Sequence, residues 1–405
     1  MGLSILRNQR DFRLLWLAQL VTFIGDGIFN TAMVWWLIQK TGSGSLVGLI
    51  MSVSFLPAIL IGPFAGTLAD RLPARLLLIG ADLLRAGLVV FFAWLARLEA
   101  LAVEHLFVLC GLLATAGVFH SPTTLTVIPR VVPAAHLEEA MALHTIVRDI
   151  AKLAGPAIGG MIIARWSVTE AFASHAGCLL FSALCVAMMA IGPRPTPETR
   201  EGVLEQLLAG FRYVKSQSVL LSVLTGFGLL NLFVVPIIVL LPLSVATVFR
   251  LGSFELGLSE GTLAFGSVVT GLLFPQLFGA IRTSVLLVRI VGFSGLLFLG
   301  FAVNPLYGLF LAGLFLLGGC FTGVNVAVLT LFQRAVAPEM KGRFFALVEV
   351  ICYALFPIAL AATGALADAI GVPGCYAICG IGTLALTVRF ARIPGLASID
   401  ERGEA

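Results

Sequence analysis

Leu125-Thr126-Val127-Ile128-Pro129-Arg130-Val131-Val132 returns 204 residues later, from position 125 to 329, as Leu329-Thr330-Leu331-Phe332-Gln333-Arg334-Ala335-Val336. The same offset carries Ala142-Leu143 onto Ala346-Leu347. In both copies an apolar run ends, an arginine follows, and the chain turns into the next apolar run. One offset held across the whole stretch is explained by internal duplication rather than by chance. The chain therefore reads as two related halves.

Working outward, the apolar runs have the length of membrane spans. A spanning helix needs about 20 mostly apolar residues. At that scale the sequence predicts helices over 12–38, 45–69, 76–98, 102–122, 138–165 and 168–192, then over 219–249, 256–280, 284–303, 305–330, 343–369 and 372–392. Between the two sets lies a polar stretch with Pro193, Pro195 and Pro197. The expected architecture is an all-α membrane protein of 12 transmembrane helices. It has a six-helix bundle over 1–192, a cytoplasmic loop over 193–218, a second bundle over 219–392 and a cytoplasmic tail over 393–405. Pro236 and Pro242 predict kinks in the seventh helix. The first apolar run lacks a small-residue cleavage site, so it is expected to stay as an anchor rather than be removed as a signal peptide.

Composition supports lipid as the solvent. Of 405 residues, 59% are hydrophobic and 11% charged, against about 25% charged in soluble domains. The net charge of +4 is modest and reflects loop arginines, which excludes a nucleic-acid surface as its purpose. Of the 25 Lys and Arg, Lys40, Arg97, Arg165 and Arg250 fall on one side of the expected bundle and Arg85, Arg148 and Lys152 within helices. The other 18 fall on the opposite side, which the positive-inside rule makes cytoplasmic, with both termini inside. Trp16, Trp35, Trp36, Trp94 and Trp166 all fall near helix ends, where indoles anchor at the membrane interface. The seven cysteines lie in or beside apolar runs and read as packing residues, with no metal set among them.

Several short stretches carry functional information. The turn after the second helix reads Gly66-Thr67-Leu68-Ala69-Asp70-Arg71-Leu72-Pro73-Ala74-Arg75. The fifth helix contains Gly155-Pro156-Ala157-Ile158-Gly159-Gly160, where small residues permit close helix approach and proline bends the helix. The first of these resembles the signature loop of the major facilitator superfamily, and the second is similar to a motif found mainly in its exporters. With Arg10-Asp11-Phe12-Arg13, Gly25-Asp26, Pro57 and Gly62-Pro63, the chain resembles the drug-exporter branch that contains macrolide and siderophore exporters. The resemblance implies a major-facilitator fold working by alternating access. Gly66, Asp70, Arg71 and Arg75 would form a state-dependent latch, and Gly155, Pro156, Gly159 and Gly160 a seam that limits leakage. Pro73 and Ala74 stand where the family has a second glycine and a basic residue, which implies a stiffer, less charged latch. At the equivalent offset the second half has Ala359, Leu360, Ala361 and Ala362, so the glycine-proline feature reads as confined to the first half.

Embedded charges are the candidates for chemistry, because a charge in hydrocarbon is costly unless it faces protein or water. Asp26 lies near mid-depth of the first helix and is the candidate to carry a proton, with Asn30 one turn later on the same face. Arg148, Asp149 and Lys152 precede the glycine-proline stretch and read either as an ion-pair network or as substrate contacts. Glu349 is their expected acidic partner by pseudo-symmetry. Asp82 and Arg85 read as structural, tied to the Asp70 turn, and His120 and His144 as polar contacts between helices. The 30 phenylalanines against four tyrosines, with Asn231, Gln276, Asn325 and Tyr353 as sparse polar groups, predict an apolar cavity.

The expectation is secondary active transport, as proton-coupled export of lipophilic or amphipathic small molecules by a monomer in a bacterial-type inner membrane. A lysophospholipid or siderophore-like substrate is the alternative within the same fold. Other classes lack their requirements. The sequence contains no HExxH and no phosphate-binding loop, so neither an enzyme, a cofactor nor a nucleotide-driven pump is expected. A membrane receptor would need a soluble module for which the loops leave little length.

Overall fold

The computed structural model describes residues 3–69, 72–192 and 203–396, in which every regular element is helical. Asp70 and Arg71 of the expected latch lie outside the described residues, as do Pro193, Pro195 and Pro197 and the side chains of 63–69 and Tyr353. The helices are α1 (Leu3–Asn8), α2 (Arg10–Thr41), α3 (Gly44–Ala69), α4 (Ala74–Arg97), α5 (Val103–Val131), α6 (Leu137–Arg165) and α7 (Val168–Ala187). After them come α8 (Val203–Ser216), α9 (Ser218–Val234), α10 (Ile237–Leu243), α11 (Ser253–Phe278), α12 (Thr283–Val303), α13 (Tyr307–Ala335) and α14 (Lys341–Ala391). Among the described residues, nine helical stretches are long and apolar enough to cross a membrane. The protein is a multi-pass α-helical membrane protein.

Local chemistry explains where helices stop, bend or run on. Gly42 ends α2 with φ 64°, and its N–H closes on the Ile38 carbonyl at 2.8 Å, a left-handed cap that glycine adopts without strain. Pro236 separates α9 from α10, since its ring cannot donate to the preceding turn. Pro242 instead remains inside α10, and a wider π turn over Ser244–Val248 follows it, closed by Phe249 N–H on the Ser244 carbonyl at 2.9 Å. α5 continues through Pro122 and Pro129 to Val131, past the predicted end at 122. Its hydroxyls fold back onto the helix there, Thr123 onto the Phe119 carbonyl at 2.6 Å and Thr126 onto the Thr123 carbonyl at 2.8 Å. The last two predicted helices are joined in α14 and bend at Gly371, whose φ of 77° suits only glycine. Within the segment expected as the central loop, Val203–Ser216 is helical.

Two compact units emerge, and each draws on both sequence halves. The first holds residues 1–42, 53–199 and 251–261; the second holds 43–52, 200–250 and 262–405. The repeated stretch takes equivalent roles in them. Val127, Ile128, Val132, Ala140 and Leu143 belong to one buried apolar cluster of the first unit. Their counterparts at the same offset, Leu331, Phe332, Val336, Phe344 and Leu347, belong to a buried cluster of the second. There Phe332 and Phe344 meet edge to face at 4.9 Å, a geometry worth about 1 kcal/mol beyond burial.

Within the first unit the glycine-proline stretch packs against two helices. A Cβ on Gly155 would lie 2.8 Å from the Ile24 carbonyl and 3.0 Å from Gly27 Cα, and one on Gly159 would lie 2.9 Å from Ile28 Cα. α2 and α6 therefore touch backbone to backbone, which no side chain at those positions would allow. Gly160 faces α11, where a Cβ would stand 3.0 Å from Gly257 Cα. In the second unit Gly364 of α14 meets α3 in the same way, 3.1 Å from Gly48 Cα. Gly364 stands 204 residues after Gly160, so the close-packing feature is not confined to the first half. Alignment by Ala359–Ala362 missed it, because the preserved glycine is the last of the motif rather than the first.

Candidate functional site

Four helices of the first unit bring their polar side chains to one place. Asp26 projects from α2, and its Oδ1 accepts from Arg85 Nη2 of α4 and lies 3.1 Å from His175 Nε2 of α7. One turn before Arg85, Asp82 is fully buried; its Oδ2 accepts from Ser182 of α7 at 2.6 Å and its Oδ1 lies 3.5 Å from His120 Nε2 of α5. The i, i+3 spacing of Asp82 and Arg85 puts both on one face of α4, so two acids, one arginine and two histidines form a continuous polar cluster. Arg85, His120 and His175 are buried. The Asp26 side chain retains 33% of its exposure and is the accessible end of the cluster.

Small and aromatic residues make that placement possible. A Cβ on Gly25 would lie 2.8 Å from both His175 Cδ2 and Cys178 Cβ, so glycine there lets α7 come close enough for His175 to reach Asp26. Phe29 covers the imidazole at 5.2 Å between ring centroids and also packs on Phe172 at 5.3 Å, with Phe92 behind at 5.9 Å. The His175 end of the cluster is thus covered by aromatic rings, which keep water from it and strengthen its electrostatics. Among the described residues no three metal-ligating side chains converge.

The other predicted positions are more dispersed. Asn30 is exposed, whereas Asp26 turns toward Arg85 and His175. Lys152 and Asp149 lie 3.9 Å apart within α6, both well exposed, and Arg148 is exposed beside them. Glu349 is exposed on α14 in the second unit. Gly66 lies near the end of α3, and Arg75, at the start of α4, donates to the Ala187 carbonyl that ends α7. A guanidinium there satisfies a helix C-terminal carbonyl. Arg85 contacts Asp26; its expected tie to the Asp70 turn falls outside the described residues. His144 pairs with Gln19.

Three residues were not singled out from sequence. His175 sits in Ala173-Ser174-His175-Ala176, a run whose small residues gave no periodic signal. Glu260 stands in Gly257-Leu258-Ser259-Glu260-Gly261, an acid beyond the first turn of an apolar helix, which is itself a signal. Its carboxylate accepts from Thr31 Oγ1 at 2.6 Å. Asp368, near the end of an apolar run, accepts from Gly44 N–H at 2.6 Å and Ser45 N–H at 2.9 Å, and from the hydroxyls of Ser43 and Ser45 at 3.0 and 2.6 Å. It caps the start of α3 from a residue 324 positions away, a pairing with no local trace.

Comparison with known proteins follows the same lines. Residues 2–403 match the family described as transmembrane secretion effector. Macrolide efflux protein A of Streptococcus pyogenes is 25% identical over 403 residues, covering 96% of this chain and 97% of that protein. Multidrug efflux pump Tap of Mycobacterium tuberculosis is 24% identical, covering 97% and 96%. Among solved structures, a mutant of the nucleoside transporter NupG superposes with a TM-score of 0.80 at 13% identity, over 95% of this chain and 100% of that one. A bacterial homologue of the iron transporter ferroportin gives 0.72 at 17% identity, over 96% and 99%. At such identities the structures speak for the fold alone, while the family match spans nearly the whole sequence. The chain belongs to the transmembrane secretion effector family of major-facilitator transporters.

Proposed function

We propose that this transporter couples the export of lipophilic or amphipathic small molecules to inward movement of protons by alternating access, with both termini cytoplasmic in a bacterial inner membrane. The observation that carries the reading is the Asp26–Arg85–His175 cluster, held among three helices with its carboxylate at the accessible end. Asp26 is the proton carrier in this reading. Protonation neutralises the carboxylate, releases Arg85, and changes which helices the arginine holds together. A charge that must repartner when a proton arrives is the kind of element that couples ion movement to conformation. Two relatives named as efflux proteins, each matched over nearly their full length, support the direction of transport.

The test is transport in proteoliposomes of the purified protein under an imposed proton gradient. Asp26→Asn is expected to abolish gradient-driven accumulation while gradient-independent exchange persists. Full gradient-driven transport by that variant would overturn the assignment.

A further inference from the structure

From Gly261 to Pro338 the chain contains no acidic residue, and its charged side chains there are Arg282, Arg289 and Arg334. Two of these arginines come to one place. Where α11 ends, α12 begins and α13 ends, the second unit holds a cavity of about 340 Å³. Arg282, Arg334, Thr283 and Thr330 line it, together with the buried Leu286 and Ala327. No acid is among the described residues that line it. Both arginines are exposed, so a ligand arriving from outside the chain can reach them.

The backbone adds to the positive field. Arg282 is the N-cap of α12; its side chain does not cap the first turn, and no acid stands in that turn. The helix therefore presents the partial positive charge of its N-terminus with no carboxylate to offset it. Among the described residues no hydrogen bond engages the Thr330 hydroxyl, whereas Thr126, its counterpart at the repeat offset, bonds back to the Thr123 carbonyl at 2.8 Å. Next in the chain to the lining residues, Leu273, Leu277 and Val285 are exposed apolar side chains.

Two guanidinium groups, two hydroxyls and a helix N-terminus, with no acid among them, suit a tetrahedral oxyanion. Guanidinium groups grip phosphate oxygens in pairs, and a helix N-terminus favours the same charge. We infer that the cavity among α11, α12 and α13 binds a phosphate ester anion, held by Arg282 and Arg334 over the first turn of α12. A basic pocket between membrane helices beside exposed leucines favours an anionic phospholipid as its source over a soluble phosphate. Occupancy ties the ends of three helices together. The inference stands apart from the coupling and cargo readings, since no residue of the Asp26 cluster takes part.

The purified full-length protein, stripped of lipid in detergent, is titrated with dioleoylphosphatidylglycerol, dioleoylphosphatidylcholine or inorganic phosphate. Bound lipid is counted by native mass spectrometry and bound phosphate by equilibrium dialysis. Phosphatidylglycerol should bind about 10-fold more tightly than phosphatidylcholine, whose headgroup has no net charge. Arg282→Gln and Arg334→Gln should each weaken that binding about fivefold, and Arg282→Lys should keep most of it. Thr283→Glu places an acid where the α12 dipole favours one, so it should abolish binding with helical content intact by circular dichroism. Arg289→Gln, on the same helix but outside the cavity, should change nothing. Equal binding of the two lipids together with no binding of phosphate overturns the inference. So does an effect within about twofold for Arg282→Gln and Arg334→Gln combined, or a loss for Arg289→Gln as large as for Arg282→Gln. Arginine-dependent binding of inorganic phosphate, with no preference between the lipids, would keep the anion site and make soluble phosphate its source.

Discussion

Truncating Arg85 leaves Asp26 with His175, whose ring Phe29 covers, as its remaining partner. Removing one member of a buried pair costs more than the pair is worth, because the other charge stays behind. Asp26 keeps partial exposure, so the loss falls toward the lower end, about 2 kcal/mol. Arg85→Gln should therefore lower the thermal unfolding midpoint in detergent, and Asp26→Asn in the same chain should restore most of it. An unchanged penalty for Arg85→Gln in the Asp26→Asn background would show that the two do not act as a pair. Position along a helix made Asp26 and Arg85 visible as embedded charges, because depth within an apolar span can be read from the sequence. Their pairing was not visible. It depends on the rotation of α2 against α4, and on Gly25 admitting α7, neither of which periodicity reports. His175 shows the same limit, since its role comes wholly from what it touches.

At the scale of elements, the apolar runs foretold most helix boundaries to within a few residues, since length and hydropathy are local properties. What they could not foretell is which helices touch backbone to backbone. Gly160 with Gly257, and Gly364 with Gly48, form two small-residue seams of like geometry, each joining a helix of one sequence half to a helix of the other. A leucine at either glycine has no space without separating the helices, and overpacking of this kind costs about 1–3 kcal/mol. Gly160→Leu and Gly364→Leu should each reduce transport and lower the unfolding midpoint. Equal, undiminished activity in both would show that the seams carry no function. The seams differ in one respect, since Asp368 adds four hydrogen bonds to the α3 start while its counterpart by the repeat offset is Ala164. Asp368→Asn keeps the shape but removes the charge and half the acceptors. It should cost about 1 kcal/mol, as loss of a helix cap does, read as a lower midpoint with secondary structure intact by circular dichroism.

For the whole molecule, duplication was legible in Leu125–Val132 and its copy because equivalent core clusters demand like residues, and those clusters are what the repeat maintains. The exchange of short segments between the halves left no such mark. Ser43–Ser52 joins the unit built mostly from the second half, and Leu251–Gly261 joins the unit built mostly from the first. Each exchange is secured by contacts that do not need the connecting chain: the seam of Gly364 with Gly48, the Asp368 cap, and the Thr31–Glu260 bond beside the Gly160–Gly257 approach. The polar, proline-bearing stretch around Pro193–Pro197 is the natural place to introduce a protease site. Cutting there removes the covalent link between halves and none of these contacts. The two fragments of a nicked protein should therefore remain together in mild detergent, an affinity tag on one retaining the other, with transport activity preserved after reconstitution. Adding Gly160→Leu and Gly364→Leu to the same chain removes both seams at once and should release the untagged fragment after nicking. Separation of the halves on nicking alone would mean that the linker, rather than the exchanged segments, holds the transporter together.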